Sequence, residues 1–97
     1  MISANIPNNT RKAVYRRDGW RCALCDNTKY LQVHHYIARS AGGSNSMHNL
    51  ICLCSKCHGV AHGAKLYEDF FTEDMELAIV EYLEDMYLEE WNPWRRE

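Results

Sequence analysis

The sequence has little of what marks chains outside the ordinary globular class. Its 97 residues include only two prolines and five glycines, too few for a linker-like or collagen-like chain. No stretch approaches the roughly 18 apolar residues that a membrane-spanning helix needs. The N-terminal residues MISANIP lack the basic and apolar regions of a secretory signal. We therefore expect a small cytoplasmic protein that does not associate with a membrane.

The sequence also lacks an even number of cysteines and an even distribution of acidic residues. The five cysteines are an odd number, which disfavours a fully paired disulfide framework. Residues 1–65 carry nine lysines and arginines but only two acids, Asp18 and Asp26. Residues 66–97 reverse this balance, with eleven acids and two arginines. The basic part suggests a polyanionic partner, and the acidic part suggests a separate role.

Local patterns predict a short α+β arrangement. The expected elements are a helix over 11–17 with N-cap oxygens in Asn8–Thr10, strands over 30–35 and 50–54, and a helix over 55–62. Between the strands, a Gly42-Gly43 turn and small polar neighbours indicate a loop.

A longer acidic helix is predicted to begin at Thr72 and to be stopped by Pro93. Its apolar residues recur at helical spacing, at Met75, Ile79, Leu83 and Met86. The rest of the domain, a second copy of the chain or a partner protein must cover this stripe, and packing on the rest of the domain is the simplest of the three. Trp91 and Trp94 beyond the stripe keep the partner alternative open.

Four cysteines form two matched Cys-x-x-Cys pairs. Cys22 and Cys25 lie at a predicted turn, and 28 residues separate them from Cys54 and Cys57. Two residues between thiols let one turn present both sulfurs to one ion, and a structural zinc ion needs four such ligands. Two disulfides or a thiol redox pair are the less favoured alternatives. Cys52 lies outside both pairs, and we expect it to face the core as a small hydrophobe.

All five histidines lie between residues 34 and 62. His58 and His62 are four apart on a predicted helix, so both rings point to one side and can bind a metal. A chance pair of surface histidines is the alternative, but His34 and His35 at the end of a predicted strand weigh against it. Adjacent strand residues point to opposite faces, so one ring can bind a metal while the other faces a different part of the same cleft.

In identity and order these residues resemble the HNH endonuclease family, of ββα-metal fold. The matching residues are Arg17-Asp18-Gly19-x-x-Cys22-x-x-Cys25, Val33-His34-His35, Gly42-Gly43-x-Asn45 and Asn49-Leu50-x-x-Leu53-Cys54-x-x-Cys57-His58-x-x-x-His62. Many relatives have Pro where this chain has Ala38. The resemblance implies a nuclease domain over residues 1–65, stapled by a four-cysteine zinc site, followed by an acidic helical extension over 66–97.

The resemblance also implies roles for individual residues. His35 would be the general base, and the side chain of Asn49 would brace the loop behind it. His34, His58 and His62 would hold a catalytic divalent ion. The implied reaction is hydrolysis of DNA to a 5'-phosphate and a 3'-hydroxyl. Because imidazole ligands favour transition metals, we expect Mn²⁺, Ni²⁺, Co²⁺ or Zn²⁺ to bind more tightly than Mg²⁺, although Mg²⁺ can serve in cells.

The excess of basic residues in the first half predicts a DNA-binding face. The candidates for phosphate contacts are Arg11, Lys12, Arg16, Arg17, Arg21, Arg39 and Lys56. Solvated surface charge is the ordinary alternative for any one of them. Arg39, in the loop beyond His35, is the residue expected nearest the metal-bound phosphate. Nothing resembles a base-reading module, so we expect weak sequence preference or specificity supplied by a partner.

The sequence thus predicts a metal-dependent HNH DNA endonuclease of phage, prophage or bacterial type, with DNA packaging as a suggested context. The alternative is a noncatalytic zinc-knuckle DNA-binding module, which explains the thiols and the basic half but not the histidine and asparagine set. A third hypothesis is a small structural or adaptor protein built around the acidic helix. Self-association or a protein partner through that helix is compatible with each.

Overall fold

A computed structural model describes residues 6–61 and 72–95, and its elements form the predicted α+β arrangement. They are α1 (Asn8–Arg17), β1 (Leu31–His35), β2 (Leu50–Cys54), α2 (Ser55–Ala61) and α3 (Thr72–Tyr87). Short 3₁₀ turns cover Arg39–Ala41, Met47–Asn49 and Leu88–Glu90. Among the described residues, no helix has the length and apolar character needed to cross a bilayer.

The two strands pair antiparallel and divide the core into two layers. Val33 lies opposite Cys52 in the register. On this face of the sheet, both side chains pack with Leu50 and with Ile6 and Val14 from the α1 region. Cys52 is fully buried there, which confirms its predicted place in the core. Burial is the largest cause that raises the pKa of Cys52 to about 12, so its thiol stays protonated.

The opposite face of the sheet is covered by α2 and α3. Ile51 and Leu53 of β2 form the centre of this layer. The complete buried cluster comprises Cys22, Ile51, Leu53, Cys54, Val60, Met75, Ile79 and Leu83. The acidic helix therefore contributes three of the buried apolar residues, and the core itself covers most of its apolar stripe.

Helix α1 begins earlier than the sequence predicted. The carbonyl of Pro7 accepts the first helical hydrogen bond, from the amide of Arg11 at 2.9 Å. Pro7 is the N-cap, and no side chain caps this end. The prediction that Asn8–Thr10 supply capping oxygens is wrong, because these residues already form the first helical turn.

Helix α3 also departs from prediction at its C-terminal end. It ends at Tyr87, six residues before Pro93, because Leu88 adopts a left-handed backbone with φ of 56°. Met86, predicted as part of the buried stripe, is 38% exposed. The next residue along the buried side of the helix is instead Tyr87, four residues after Leu83, and it packs against the same cluster.

A buried ion pair connects the end of α1 to the rest of the molecule. Arg17 binds Asp18 through two nitrogens, Nε to Oδ1 at 2.7 Å and Nη2 to Oδ2 at 2.9 Å. The guanidinium also donates to the carbonyls of Met47 and Leu50, each at 2.7 Å, and to the hydroxyl of Tyr87 at 3.0 Å. One side chain thus ties together α1, the loop before β2, the start of β2 and the end of α3.

The carboxylate of Asp18 extends this network. Its Oδ2 accepts the backbone amide of Cys52 at 2.9 Å, and its Oδ1 accepts the hydroxyl of Tyr82 at 2.8 Å. Burial, followed by the bond to Asp18, raises the pKa of Tyr82, so this hydroxyl stays protonated and keeps donating. Every contact of the pair is made to another part of the fold, so the pair acts as a structural centre.

We expect Asp18→Ala to destabilise the protein by about 3–5 kcal/mol, because it leaves the Arg17 guanidinium buried without its carboxylate. Asp26→Asn is the matched control, because it removes the charge and Asn tolerates the left-handed backbone of this position, with φ of 65°. Its carboxylate is 80% exposed and lies 3.5 Å from Arg21, where an ion pair contributes about 0–1 kcal/mol. Urea unfolding of the zinc-loaded variants, followed by circular dichroism, measures both. Equal midpoints for the two variants would contradict this assignment.

Candidate functional site

The four cysteines of the two Cys-x-x-Cys pairs converge on one point. One potential ligand atom from each of Cys22, Cys25, Cys54 and Cys57 lies within 4.8 Å of the others. The sulfurs of Cys25 and Cys54 are 3.6 Å apart. A tetrahedral zinc ion bound at about 2.3 Å sets its sulfur ligands about 3.8 Å apart. The spacing therefore fits a zinc ion, and all five cysteines of the chain are free thiols.

Backbone geometry prepares the same cluster for a cation. The amide of Cys22 donates to the carbonyl of Asn27 at 2.8 Å and closes the first turn. Burial acts to raise the pKa of Cys54, but amide hydrogen bonds from Cys57 and Lys56 and the thiol of Cys25 outweigh it and lower the pKa to about 7. Amides aimed at a sulfur stabilise the thiolate, which is the form that binds a metal.

A second group of possible ligands lies where β1 packs against α2. The rings of His34 and His58 are edge to face, with centroids 5.0 Å apart. Two imidazoles bound to one ion at about 2.1 Å place their centroids at about this separation. Nδ1 of His58 contacts Oε1 of Gln32, which lies two residues before His34 on β1. A ring that donates from Nδ1 coordinates a metal through Nε2. The third predicted ligand, His62, lies outside the described residues.

His35 points to the other face of β1 and is half-buried. Its Nε2 lies 2.8 Å from Oδ1 of Asn45, so the neutral ring donates this proton to the amide oxygen. Burial is the largest cause that lowers the pKa of His35, and the nearby charges of Arg39 and Arg11 lower it further. The imidazole is therefore neutral at neutral pH, as a general base requires.

The loop behind His35 is held by Asn49, which is completely buried. Its Oδ1 accepts the amide of Ile37 at 2.7 Å, and its Nδ2 donates to the carbonyls of Ile37 and Ser44 at 3.0 and 2.9 Å. Gly43 lets the two sides of the loop meet, because a Cβ there would lie 1.8 Å from the carbonyl oxygen of Ile37. One amide side chain thus joins both arms of the loop.

A polar cleft opens next to Asn45. Its volume is about 350 Å³, and it is lined by Pro7, Thr10, Arg39, Gly43, Ser44, Asn45 and Ser46. Arg39 is exposed at its edge. The charges of Arg39 and Arg11 both act on His35, so this ring lies next to basic side chains.

The structure corrects one predicted DNA contact. The side chain of Arg17 is only 9% exposed, and its donors are bound to groups inside the fold. Its guanidinium cannot reach a phosphate without breaking that network. The other six candidates have accessible side chains, with Arg11 the least exposed: Arg11, Lys12, Arg16, Arg21, Arg39 and Lys56. Arg21 is paired with Asp26 at 3.5 Å.

Two site residues have roles that the sequence analysis did not assign. Asn45 belongs to the quoted Gly42-Gly43-x-Asn45 pattern, but its contact with His35 depends on how the loop folds back. Gln32 carries no motif, and only its strand position beside His34 could have indicated a contact with a helix histidine. His48 is buried away from these groups, with its ring stacked on Tyr87 at 3.9 Å, as expected for a structural loop histidine.

Comparison with known proteins agrees with this geometry. Residues 22–63 match the family model described as HNH endonuclease. A stretch of 42 residues is 43% identical to the Type IV methyl-directed restriction enzyme EcoKMcrA of Escherichia coli strain K12. That stretch covers 43% of this chain and 15% of the restriction enzyme. The family match therefore covers the segment that carries the two candidate metal sites.

We expect Cys57→Ser to lose zinc and unfold the domain, because structural zinc in a small domain supplies folding free energy. Cys52→Ala is the matched control, since this thiol is buried in the core outside the four-sulfur cluster. It should keep one zinc ion per chain. Metal analysis and circular dichroism of both purified variants measure the difference. A folded, zinc-free Cys57→Ser protein would show that the four sulfurs are not a folding site.

Proposed function

We propose that this protein, whose residues 22–63 match the HNH endonuclease family model, is a metal-dependent nuclease that hydrolyses phosphodiester bonds in DNA. The observation that carries the proposal is the arrangement of three histidines. The neutral ring of His35 is oriented by Asn45 at the end of β1, and the preceding residue, His34, packs against His58 of α2. Phosphodiester hydrolysis needs a general base next to a metal ion, and His34 and His58 are the two ligands that could hold this ion.

His35 acts as the general base in this mechanism. Because its Nε2–H is donated to Asn45, the lone pair of the neutral ring lies on Nδ1, and this atom takes the proton of the attacking water. Asn45 fixes the tautomer and the ring orientation. Asn49 keeps the loop that carries Asn45 closed, through its bonds to Ile37 and Ser44.

His34, His58 and His62 are the proposed ligands of the catalytic ion. When bound there, a divalent metal supplies a Lewis acid that neutralises the phosphate and stabilises the departing 3' oxygen. Three imidazoles suit Mn²⁺, Ni²⁺, Co²⁺ or Zn²⁺ better than Mg²⁺. Gln32 fixes the tautomer of His58, so that Nε2 of this ring would be the atom that binds the ion. The products are a 5'-phosphate and a 3'-hydroxyl.

The DNA backbone follows the basic side chains around His35. Arg39 and Arg11 contact phosphates next to the reacting one, and Lys12, Arg16, Arg21 and Lys56 extend the basic surface. These contacts carry no sequence information, so target choice comes from DNA structure or from a partner. We place the activity in the cytoplasm, in phage or prophage DNA processing or packaging.

A noncatalytic zinc-knuckle DNA-binding module is the second candidate. The four-sulfur cluster and the exposed basic residues support it without the histidines. It gives no reason for a half-buried histidine oriented by an asparagine, so we rank it second.

The deciding experiment incubates plasmid DNA with the purified protein and Mn²⁺, with and without EDTA. We expect cleavage with Mn²⁺, loss of cleavage after mild EDTA, and recovery when Mn²⁺ is returned. Circular dichroism and metal analysis should show that the EDTA-treated protein is folded and keeps one zinc ion per chain. DNA binding without cleavage under every metal condition would favour the noncatalytic module.

His35→Ala should lower the cleavage rate by about 10²–10⁴-fold, the usual contribution of a general base. Zinc content and thermal stability should change little, because His35 is not one of the four sulfur ligands. Single-turnover cleavage in Mn²⁺ measures the effect, with retained zinc as the control for folding. If the variant cleaves at the rate of the unaltered protein, His34 becomes the next candidate for the base.

A further inference from the structure

The last described residues, Leu88–Arg95, lie outside the segment that matches the family model and run across the loop that carries Asn45. We name Leu88–Arg95 the C-terminal strap and residues 36–49 the active-site loop. No residue of the strap belongs to either candidate metal site. The strap is nevertheless joined to the loop by hydrogen bonds of 2.6 to 3.0 Å.

Three hydrogen bonds join the strap to the loop. Nε1 of Trp91 donates to the carbonyl of His48 at 2.8 Å, and the amide of Asn92 donates to Nδ1 of the same histidine at 3.0 Å. At the other end, Oγ of Ser44 donates to the carbonyl of Arg95 at 2.6 Å. The strap therefore holds the loop at two points, one on each side of Asn45.

Further hydrogen bonds within the loop connect these two points to His35. The amide of Ser46 donates to Oγ of Ser44 at 3.2 Å, and the amide of His48 donates to Oγ of Ser46 at 3.1 Å. Both serines are buried. Asn45 lies between them, and its Oδ1 accepts from Nε2 of His35 at 2.8 Å. The segment that orients the base is thus fixed by bonds that end on the strap.

We propose that the C-terminal strap positions His35 through Asn45, with Trp91 as the principal positioning residue. This inference rests on the proposed nuclease function. Trp91 touches no reacting group. Its Nε1 holds His48 and, through it, the turn that presents Asn45, while its ring packs against Tyr36 and the core cluster. A misplacement of about 1 Å can lower an enzyme's rate by about 10²-fold, so a loosened loop has a measurable effect on the rate.

The test uses Trp91→Phe, which removes the Nε1 donor but keeps an aromatic ring. Trp94→Phe is the matched control, because Trp94 lies in the same strap and is 57% exposed. In single-turnover cleavage with Mn²⁺, Trp91→Phe should slow the reaction about tenfold. Trp94→Phe should stay within about twofold of the unaltered protein.

A double-mutant cycle separates positioning from general destabilisation. If Trp91 acts through Asn45, Trp91→Phe should cost less than about twofold in an Asn45→Ala background, because the group it positions is already gone. Additive losses in the cycle, or an unchanged rate for Trp91→Phe, would overturn the proposal. If Trp91→Phe does not fold, Ser44→Ala removes the other attachment and enters the same cycle with the same expectation.

A readout independent of activity separates this inference from the proposed function. In a ¹⁵N NMR spectrum, Trp91→Phe should shift or broaden the side-chain amide signals of Asn45 and leave those of Asn27 unchanged. The amide oxygen of Asn27 is bound to Lys29 in the first zinc-binding turn. Unchanged Asn45 signals would overturn the positioning role whether or not the protein cleaves DNA. An inactive unaltered protein with shifted Asn45 signals would reject the nuclease proposal alone.

Discussion

The bidentate pair between Arg17 and Asp18 is the interaction on which the rest of this structure depends. It lies at the end of α1 and is buried, so its donors and acceptors must be satisfied by the protein. The partners come from the loop before β2, from β2 itself and from two tyrosines of α3. Removal of either charge leaves the other desolvated, which costs far more than the loss of an exposed pair. The pair therefore fixes how the helices sit on a sheet of only two strands.

Two polar centres supplement the small apolar core of this domain. The ion pair connects the elements around one end of the sheet, and the four-sulfur cluster connects the first turn to the junction of β2 and α2. The side chains of His34 and His35 point to opposite faces of β1. The end of this strand therefore provides both a histidine that could bind a metal together with His58 and the proposed base.

The acidic helix completes this arrangement. Met75, Ile79 and Leu83 enter the core beside Ile51 and Leu53, while the acids between them are exposed. The positive charges of Arg11 and Arg39 lie on other elements of the fold, where they act on His35. Charges of opposite sign are thus carried by different elements of the fold, which explains how a chain with a formal net charge of −2 offers a basic surface to a polyanion. A protein partner for the exposed side of α3 stays a prediction.

The sequence alone determined what depends on local spacing: two Cys-x-x-Cys turns for one ion, the strand that carries adjacent histidines, and the apolar period of α3. It was wrong at the start of α1, at the end of α3 and about Met86, where one residue's backbone angle or its side of the helix decides the outcome. Only the tertiary structure showed that the guanidinium of Arg17 is bound inside the fold, that Asn45 contacts His35 and that Trp91 is hydrogen-bonded to His48. Those contacts join residues from 10 to 43 positions apart, and a periodic pattern contains no information about which distant groups will meet.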